Sequence, residues 1–247
     1  MAELLAIIGG TGLASYPLLT VTEREVLDTP YGEPSAPLLY GELNGKPVVF
    51  LARHGEQHTI PPHRINYRAN LWALRHSGVE QVIAVAAVGG ISPDMPPGRL
   101  AFPDQLIDYT WSRGQTFFED DLTQVTHIDF TRPYCPALRE KLIQAAWQQG
   151  LDAKEDGTYG ATQGPRLETA AEILRMERDG CHMVGMTGMP EAALARELGL
   201  CYAACAVSAN WAAGKAPGEI TMAAIERQLA DSMARVNALL QQTVLLL

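Results

Sequence analysis

Short runs of apolar residues alternate along the chain with longer amphipathic segments. Four runs rich in Val, Ile, Leu and Ala, each ending in small or polar residues, predict buried strands at 4–8, 47–52, 82–88 and 202–207. Helices are predicted between and after them, several with a glycine just past the last turn, at 66–77, 138–149, 170–178, 190–198 and 220–240. Because buried strands alternating with helices are typical of an α/β fold, we predict one domain over residues 1–247. It would have a central mixed sheet flanked by helices on both faces.

The predicted strands end in chemically unusual segments. The carboxyl ends of parallel strands meet at one edge of a sheet, and ligands bind there. We therefore expect the segments that follow the strands to surround one site, and these are Gly9-Gly10-Thr11-Gly12, Arg53-His54-Gly55, Gly89-Gly90 and Ser208-Ala209-Asn210.

Composition and charge narrow the classes of partner. Of the 247 residues, 47% are hydrophobic, which is enough for a packed core. The formal net charge of −9 argues against nucleic acid, because nucleic-acid backbones are bound by clustered Lys and Arg. No apolar run approaches the roughly 20 residues that span a bilayer, and the N-terminus lacks the basic residues of a signal peptide. We expect a cytoplasmic protein with no membrane partner.

The chain has four cysteines, at 135, 181, 201 and 205, and none of them forms a CxxC pair. A cytosolic chain keeps its thiols reduced. We therefore predict that all four pack as small hydrophobic side chains.

Three segments contain groups that could bind an anion. Glycines at 9–12 would let backbone N–H groups approach a phosphate beside the Thr11 hydroxyl, although a tight turn would use the same residues. Arg53 and His54 offer side-chain donors, unless they form a surface pair at a turn. Thr187 precedes a helix that begins with Pro, where phosphate is favoured, but Thr is also a common N-cap residue.

The segment from His54 to His58 superficially resembles a zinc-binding helix. The HExxH pattern places Glu directly after the first His, whereas here Gly55 takes that position and Glu56 comes one residue late. We predict no metal site.

Taken together, these segments resemble one family, the trimeric purine-nucleoside phosphorylases, and within it the branch that acts on methylthio-nucleosides. The resemblance is carried by GGTG, ARHGEQHTIPPHRINYRANLWAL and GMTGMPEAALARELGLCYAACAVSANWAAG, and it covers nearly the whole chain. It implies a nucleoside-phosphorylase-like fold, inorganic phosphate as co-substrate, no other cofactor, and a homotrimer or a dimer of trimers.

The resemblance also implies a set of site residues. The family's phosphate-binding positions match Thr11, Arg53, His54, Ala86, Ala87 and Thr187. The family often has Thr where Ala86 stands, so only backbone N–H is expected to reach phosphate there. The nucleoside-binding positions match Leu167, Glu168, Met186, Asn210, Trp211, Ala212, Met222 and His127, the last reaching a neighbouring subunit's site. Asn210 and His54 would act in catalysis.

Two of these positions bear on the purine. Methylthioadenosine phosphorylases have a segment similar to T-D-Y-D at the positions where this chain has Ala209-Asn210-Trp211-Ala212. The amide of Asn210 can donate to O6 of a 6-oxopurine and accept from N7–H. Glu168 can accept from N1–H of a 6-oxopurine, whereas it would repel the N1 lone pair of adenine. Both positions therefore favour a 6-oxopurine base.

Met222 bears on which group the site accepts at the 5′ position of the sugar. Phosphorylases for ordinary nucleosides place a His near the 5′-hydroxyl, and residues 220–224 contain none. Met222 would offer an apolar wall to a methylthio group, with ordinary helix packing as the alternative for this Met.

The implied activity is phosphorolysis of methylthioinosine. Phosphate would attack the anomeric carbon through a cationic, oxocarbenium-like state as the base departs. Four alternatives remain open: a general inosine/guanosine phosphorylase, a methylthioadenosine phosphorylase, a hydrolytic nucleosidase and an inactive purine-binding module.

Overall fold

The computed structural model describes residues 4–13, 16–120 and 122–247. Within these ranges the strands are β1 (Leu4–Gly9), β2 (Thr20–Glu25), β3 (Leu38–Leu43), β4 (Lys46–Ala52), β5 (Val79–Gly90), β6 (Leu100–Ala101), β7 (Gln105–Asp108), β8 (Ala153–Lys154), β9 (Thr158–Ala161), β10 (Met183–Gly185) and β11 (Cys201–Trp211). The helices are α1 (Tyr67–His76), α2 (Pro136–Gln148), α3 (Ala170–Arg178), α4 (Gly188–Glu197) and α5 (Met222–Leu245).

The strands join one mixed sheet organised around β5. Strand β5 runs parallel to β1 and to β11, and its last two residues pair antiparallel with β10. From β1 the sheet continues through β4, β3 and β2, and from β10 through β9 and β7. Since β1, β4, β5 and β11 are mutually parallel, their carboxyl ends lie at the same edge.

The central strands are buried on both faces, and small side chains let the helices pack closely against them. Helices α2, α4 and α5 contact β11, while α1 packs on α4 and α2 packs on α5. The helices flank both faces of the sheet, which confirms the predicted fold class. The buried alanines of β5 and β11 are Ala84, Ala86, Ala203, Ala204, Ala206 and Ala209.

All four predicted strands and all five predicted helices are present near their predicted positions. Helix α1 begins after Asn66, whose side chain accepts from the N–H of Ala69, and Gly78 follows the helix with φ +82°. In the described part of the chain, no helix combines the length and apolar character that crossing a membrane requires.

Two predicted strand ends are wrong. Gly89 and Gly90 lie inside β5, because they pair with β10 on one side and with β11 on the other. Asn210 likewise lies inside β11, opposite Gly89, after an irregularity in register that follows Ser208. Ser208 turns away from the site, and its hydroxyl donates to the carbonyl of Met95 at 3.0 Å.

The prediction that all four thiols are reduced is also wrong. Cys135 and Cys201 form a disulfide, whereas Cys181 and Cys205 are free and buried as expected. The expectation rested on spacing and compartment, but the fold brings the first turn of α2 beside the start of β11. The N–H of Cys135 donates to the carbonyl of Tyr202 at 2.7 Å.

We expect two thiols, rather than four, to react with a thiol reagent when the protein is unfolded in denaturant without reductant. After reduction all four should react. Since the bridge spans 66 residues, replacing both cysteines by Ser should lower the free energy of unfolding by about 4 kcal/mol. Four reactive thiols in the unreduced protein would contradict the bridge.

Candidate active site

A cavity of about 180 Å³ opens at the carboxyl ends of β1, β4, β5 and β11. Residues from each of the four segments predicted at the strand ends line this cavity, as expected. Of the residues implicated by sequence, its lining includes Thr11, Arg53, His54, Ala86, Ala87, Leu167, Glu168, Met186, Thr187, Asn210, Ala212 and Met222. Among the described residues, Trp211 and His127 do not line this cavity, and His127 lies exposed outside any helix or strand.

Arg53, one of the phosphate-binding positions predicted from the sequence, forms a buried ion pair. It directly follows β4 and is 1% exposed. Its Nε and Nη2 donate to the two carboxylate oxygens of Glu191 at 2.6 and 2.9 Å, and its Nη1 donates to the carbonyl of Val85 at 3.0 Å. Glu191, on α4, is fully buried and also accepts from the hydroxyl of Tyr202 at 2.8 Å.

This pairing determines what Arg53 offers to a ligand. Burial lowers the pKa of Arg53, but the charge of Glu191 and its hydrogen bonds outweigh that effect and raise it above its ordinary value. The guanidinium therefore stays charged. Because one edge of the fork is taken by Glu191, one N–H on each of Nη1 and Nη2 is left for an anion.

His54 is held as a neutral acceptor rather than as a donor. Its Nδ1 lies 2.8 Å from the carbonyl oxygen of Ile60, and the N–H of Ile60 donates back to the carbonyl of His54. Burial, with the charge of Arg53, lowers the pKa of His54 to about 4. Since a carbonyl only accepts, Nδ1 carries the proton and Nε2 presents a lone pair. The prediction that His54 donates to phosphate is therefore wrong, because its one N–H already donates to Ile60.

Thr11 and Thr187 line the same cavity as Arg53 and contribute a hydroxyl group each. Neighbouring Gly10 allows the close approach, because a Cβ there would lie 2.6 Å from the carbonyl oxygen of Val85 and 2.9 Å from Nη1 of Arg53. Thr187 is the N-cap residue of α4 but makes no side-chain capping bond, so the alternative offered for it by sequence does not hold. The helix is interrupted at Met189, whose φ and ψ are non-helical.

The other end of the cavity is lined by Glu168 and Asn210. Glu168 lies in the loop between β9 and α3, and its Oε1 accepts from the hydroxyl of Thr162 at 2.6 Å. Asn210 and its predecessor Ala209 both line the cavity. Successive residues of a regular strand face opposite sides, so the irregularity in β11 brings both to the same wall. Nδ2 of Asn210 donates to the carbonyl of Trp211 at 2.7 Å, which leaves its second N–H and its Oδ1 for a ligand.

Apolar side chains also line the cavity. Met186 lies on the segment joining β10 to α4, and Met222 is the first residue of α5, where it is 57% exposed. Ile220 and Ile225 line the same cavity. The arrangement could hold a small amphipathic ligand, with an anion at the Arg53 end.

Three supporting residues carry no clear signal in the sequence. In the sequence, Glu191 is recognisable only as an acidic residue in the first turn of a helix predicted to begin with Pro. Arg113 lies outside every predicted element, yet it donates to the backbone carbonyls of Met186, Thr162 and Gln163 at 2.8, 3.1 and 2.7 Å. Thr162 gave no signal at all.

No described cluster of three or more His, Cys, Asp or Glu side chains is arranged to hold a metal ion. Glu56, which the zinc-like pattern includes, instead pairs with Arg24 at 2.9 Å on the surface.

Comparison with known proteins establishes the class of protein to which this fold and cavity belong. The chain belongs to the phosphorylase superfamily, whose family model matches residues 4–245, and it is an enzyme of the nucleoside phosphorylase type, a pentosyltransferase. This confirms the family inferred from the sequence.

Individual relatives differ in the nucleoside that their names specify. The chain is 54% identical over 239 residues to a probable S-methyl-5′-thioinosine phosphorylase of Pseudomonas syringae pv. tomato, covering 97% of each chain. It is 48% identical over 222 residues to a 6-oxopurine nucleoside phosphorylase of Pyrococcus furiosus, covering 88% of this chain and 83% of that one. Among solved structures, a methylthioadenosine phosphorylase from Schistosoma mansoni in complex with adenine superposes with a TM-score of 0.95 at 31% identity, covering 99% of this chain and 91% of the other.

Replacing Glu191 with Gln should destabilise the protein, because it leaves the buried charge of Arg53 without a counter-charge. We expect the free energy of unfolding in urea to fall by about 3–5 kcal/mol. The control is Glu172→Gln, which removes the exposed ion pair with Arg166 and should cost less than about 1 kcal/mol. Equal losses in the two variants would mean that the buried ion pair contributes no more to the free energy of unfolding than the exposed one.

The neutral state of His54 predicts a pH dependence of stability. Its folded pKa of about 4 lies below the unfolded value of about 6.5, so the unfolded chain binds the extra proton first as the pH falls. Stability from this group is complete above about pH 6.5 and is lost as the pH falls toward about 4. Between neutral pH and about pH 5, wild type should lose roughly 2 kcal/mol more than His54→Gln, measured by urea unfolding. Parallel pH profiles for the two proteins would mean that the pKa of His54 is the same in the folded and unfolded states, which would contradict its lowered pKa.

Proposed function

We propose that this enzyme catalyses the phosphorolysis of S-methyl-5′-thioinosine, giving hypoxanthine and 5-methylthioribose 1-phosphate. The observation that carries the proposal is the shared cavity. Asn210 and Glu168, whose chemistry suits a 6-oxopurine, line the cavity that also holds Arg53 with its remaining N–H groups. The 54% identity to a probable S-methyl-5′-thioinosine phosphorylase supports the same substrate.

Phosphate would bind at the Arg53 end. Thr11, Thr187, Ala86 and Ala87 line the same cavity as Arg53. Their hydroxyls and backbone N–H groups would surround the phosphate together with the unused guanidinium N–H groups. Nε2 of neutral His54 would accept a hydrogen bond from a protonated phosphate oxygen or from a sugar hydroxyl, because it has no proton to donate. Phosphate is the co-substrate, and no other cofactor is invoked.

The reaction would proceed by displacement at the anomeric carbon. A phosphate oxygen forms a bond to C1′ as the bond between C1′ and N9 breaks, and the electron pair of that bond leaves with the purine. The adjacent phosphate anion stabilises the cationic sugar between them. The departing purine takes a proton from solvent at N7, and Oδ1 of Asn210 accepts a hydrogen bond from that N7–H. Met186 would pack against the ribose.

The purine would be selected by two hydrogen bonds. The unused N–H of Asn210 donates to O6, and the carboxylate of Glu168 accepts from N1–H. Adenine offers an amine at C6 and a lone pair at N1, so both contacts would be lost or repulsive. Sites that hydrogen-bond a substrate reject analogues with mismatched groups by about 10⁴-fold. Leu167 and Ala212 line the cavity and remain as predicted neighbours of the base, whereas Trp211, predicted with them, lies outside its lining.

The 5′-methylthio group would contact Met222 and its apolar neighbours Ile220 and Ile225. A general 6-oxopurine nucleoside phosphorylase is the second candidate, favoured by the Pyrococcus furiosus relative at 48% identity. The two candidates differ only at this apolar wall.

We further propose a cytoplasmic homotrimer, or a dimer of trimers, in which His127 of one subunit reaches the site of the next. The exposed position of His127 is compatible with that role. The disulfide between Cys135 and Cys201 weighs against a cytoplasmic location, because the cytosol keeps most thiols reduced.

The deciding experiment measures base release from methylthioinosine, methylthioadenosine and inosine side by side, with and without inorganic phosphate. We expect release only with phosphate, and the highest kcat/KM with methylthioinosine. Asn210→Asp serves as the matched variant, since it removes the donor to O6 while keeping the size of the side chain, and it should lower kcat/KM for both 6-oxopurine nucleosides.

Each deviation points to a different part of the proposal. Preference for methylthioadenosine would overturn the assignment of Asn210 and Glu168. Equal use of inosine would remove only the role of Met222 and favour the second candidate. Release without phosphate would indicate a hydrolase, and binding without turnover would indicate an inactive purine-binding protein.

A further inference from the structure

Thr162 lies directly behind Glu168, on the side away from the nucleoside cavity. It follows strand β9, and its Oγ1 is 2.6 Å from Oε1 of Glu168. Glu168 lines both the nucleoside cavity and a second cavity of about 310 Å³, whereas Thr162 belongs to the wall of the second one. Thr162 therefore contacts the carboxylate without reaching the purine position.

The geometry determines which acceptor the Thr162 hydroxyl uses. Its oxygen lies 2.6 Å from Oε1 of Glu168 but 3.3 Å from the carbonyl of Gly185. That carbonyl already accepts from the backbone N–H of Thr162 at 2.8 Å. The shorter bond to the ionised acceptor is the stronger one, so the hydroxyl hydrogen points at Glu168.

The donor is held on a rigid frame while the acceptor belongs to a loop. Ala161, next to Thr162, pairs with Gly185 of β10, and Nη2 of Arg113 donates to the carbonyl of Thr162. Glu168 lies between this frame and Thr169, which caps α3 through a reciprocal pair of bonds with Glu172. The hydroxyl of Thr162 thus fixes one oxygen of a carboxylate that could otherwise rotate.

We propose that Thr162 is a positioning residue that sets the base preference of the enzyme, an inference that rests on the proposed function. By occupying Oε1, it directs Oε2 of Glu168 toward the N1 position of the purine. In that orientation the carboxylate accepts from N1–H of a 6-oxopurine and opposes the N1 lone pair of adenine. Without the hydroxyl, the carboxylate can turn away, which weakens the first interaction and relieves the second.

The test is Thr162→Val, which keeps the shape of the side chain and removes the donor. We expect the ratio of kcat/KM for methylthioinosine to that for methylthioadenosine to fall about tenfold, as expected for a lost hydrogen bond to a charged group. The KM for phosphate should stay unchanged, because Thr162 does not line the cavity that holds Arg53. A general structural defect would instead weaken phosphate binding and both nucleosides together.

Three further variants make the result specific. Thr162→Ser restores the hydroxyl and should restore the ratio. Thr158→Val removes a hydroxyl from the same strand, outside both cavities, and should leave the ratio at its wild-type value. Thr162→Val in a Glu168→Ala background should have no further effect on the ratio, because the group that Thr162 positions is absent.

Failure of this inference is distinguishable from failure of the proposed function. If wild type prefers methylthioinosine but Thr162→Val keeps the same ratio, Thr162 has no positioning role. An undiminished effect in the Glu168→Ala background would overturn the inference in the same way. If wild type itself shows no preference between the two nucleosides, the proposed base specificity fails and this inference falls with it. Should Thr162→Val not fold, Thr162→Ala removes the same donor without added bulk at Cγ.

Discussion

The ion pair between Arg53 and Glu191 connects four elements of the fold at one point. Arg53 follows β4, its Nη1 binds the carbonyl of Val85 in β5, Glu191 belongs to α4, and Tyr202 of β11 completes the carboxylate's hydrogen bonds. A charge buried without its partner is far less favourable than a paired one. Separation of any of these elements is therefore opposed by the pair as well as by the apolar core. The guanidinium reaches the cavity already oriented, so little is lost in ordering it when an anion binds.

The same pair explains why the neighbouring imidazole is neutral. Next to a permanently charged Arg53 and shielded from water, His54 would become protonated only at considerable cost, and its Nδ1–H is already used by Ile60. The anion end of the cavity therefore has one fixed positive charge and one lone-pair acceptor in place of two cations. A protonated phosphate oxygen or a sugar hydroxyl fits that combination better than a bare oxyanion would.

Much of the frame was predictable from the sequence because its strongest signals are local. The apolar runs of β1, β4, β5 and β11 and the capped helices are visible in short windows, and together they place the site at the strand ends. The edge strand β2 was missed because its side chains are mostly exposed and have no apolar pattern. Gly89 and Asn210 were misplaced as strand ends, because glycine and asparagine usually end strands and only the pairing with β10 and β11 keeps them inside.

In the site, the residues that line the cavity were predictable from the sequence, but the residues that hold them in place were not. Those side chains lie in segments with unusual composition, and their resemblance to a known family gave them roles. Their partners lie far away in the sequence: Glu191 is 138 residues from Arg53, and the disulfide joins cysteines 66 residues apart. No window of the sequence contains such pairs. Thr162 lies only six residues from Glu168, but a threonine after a short strand is too common to indicate a role.

The two hidden partners, Glu191 and Thr162, act under different physical conditions. Glu191 and Arg53 are both shielded from water, so the energy of their interaction is large and serves the fold and the phosphate end together. Thr162 and Glu168 are only partly buried, and water can replace the hydroxyl at little cost to stability. Water cannot, however, fix the direction of a carboxylate as a side chain anchored on a strand does. A contact that contributes little to stability can thus determine which purine is accepted, because discrimination depends on the orientation of Oε2 and not on the total energy of the bond.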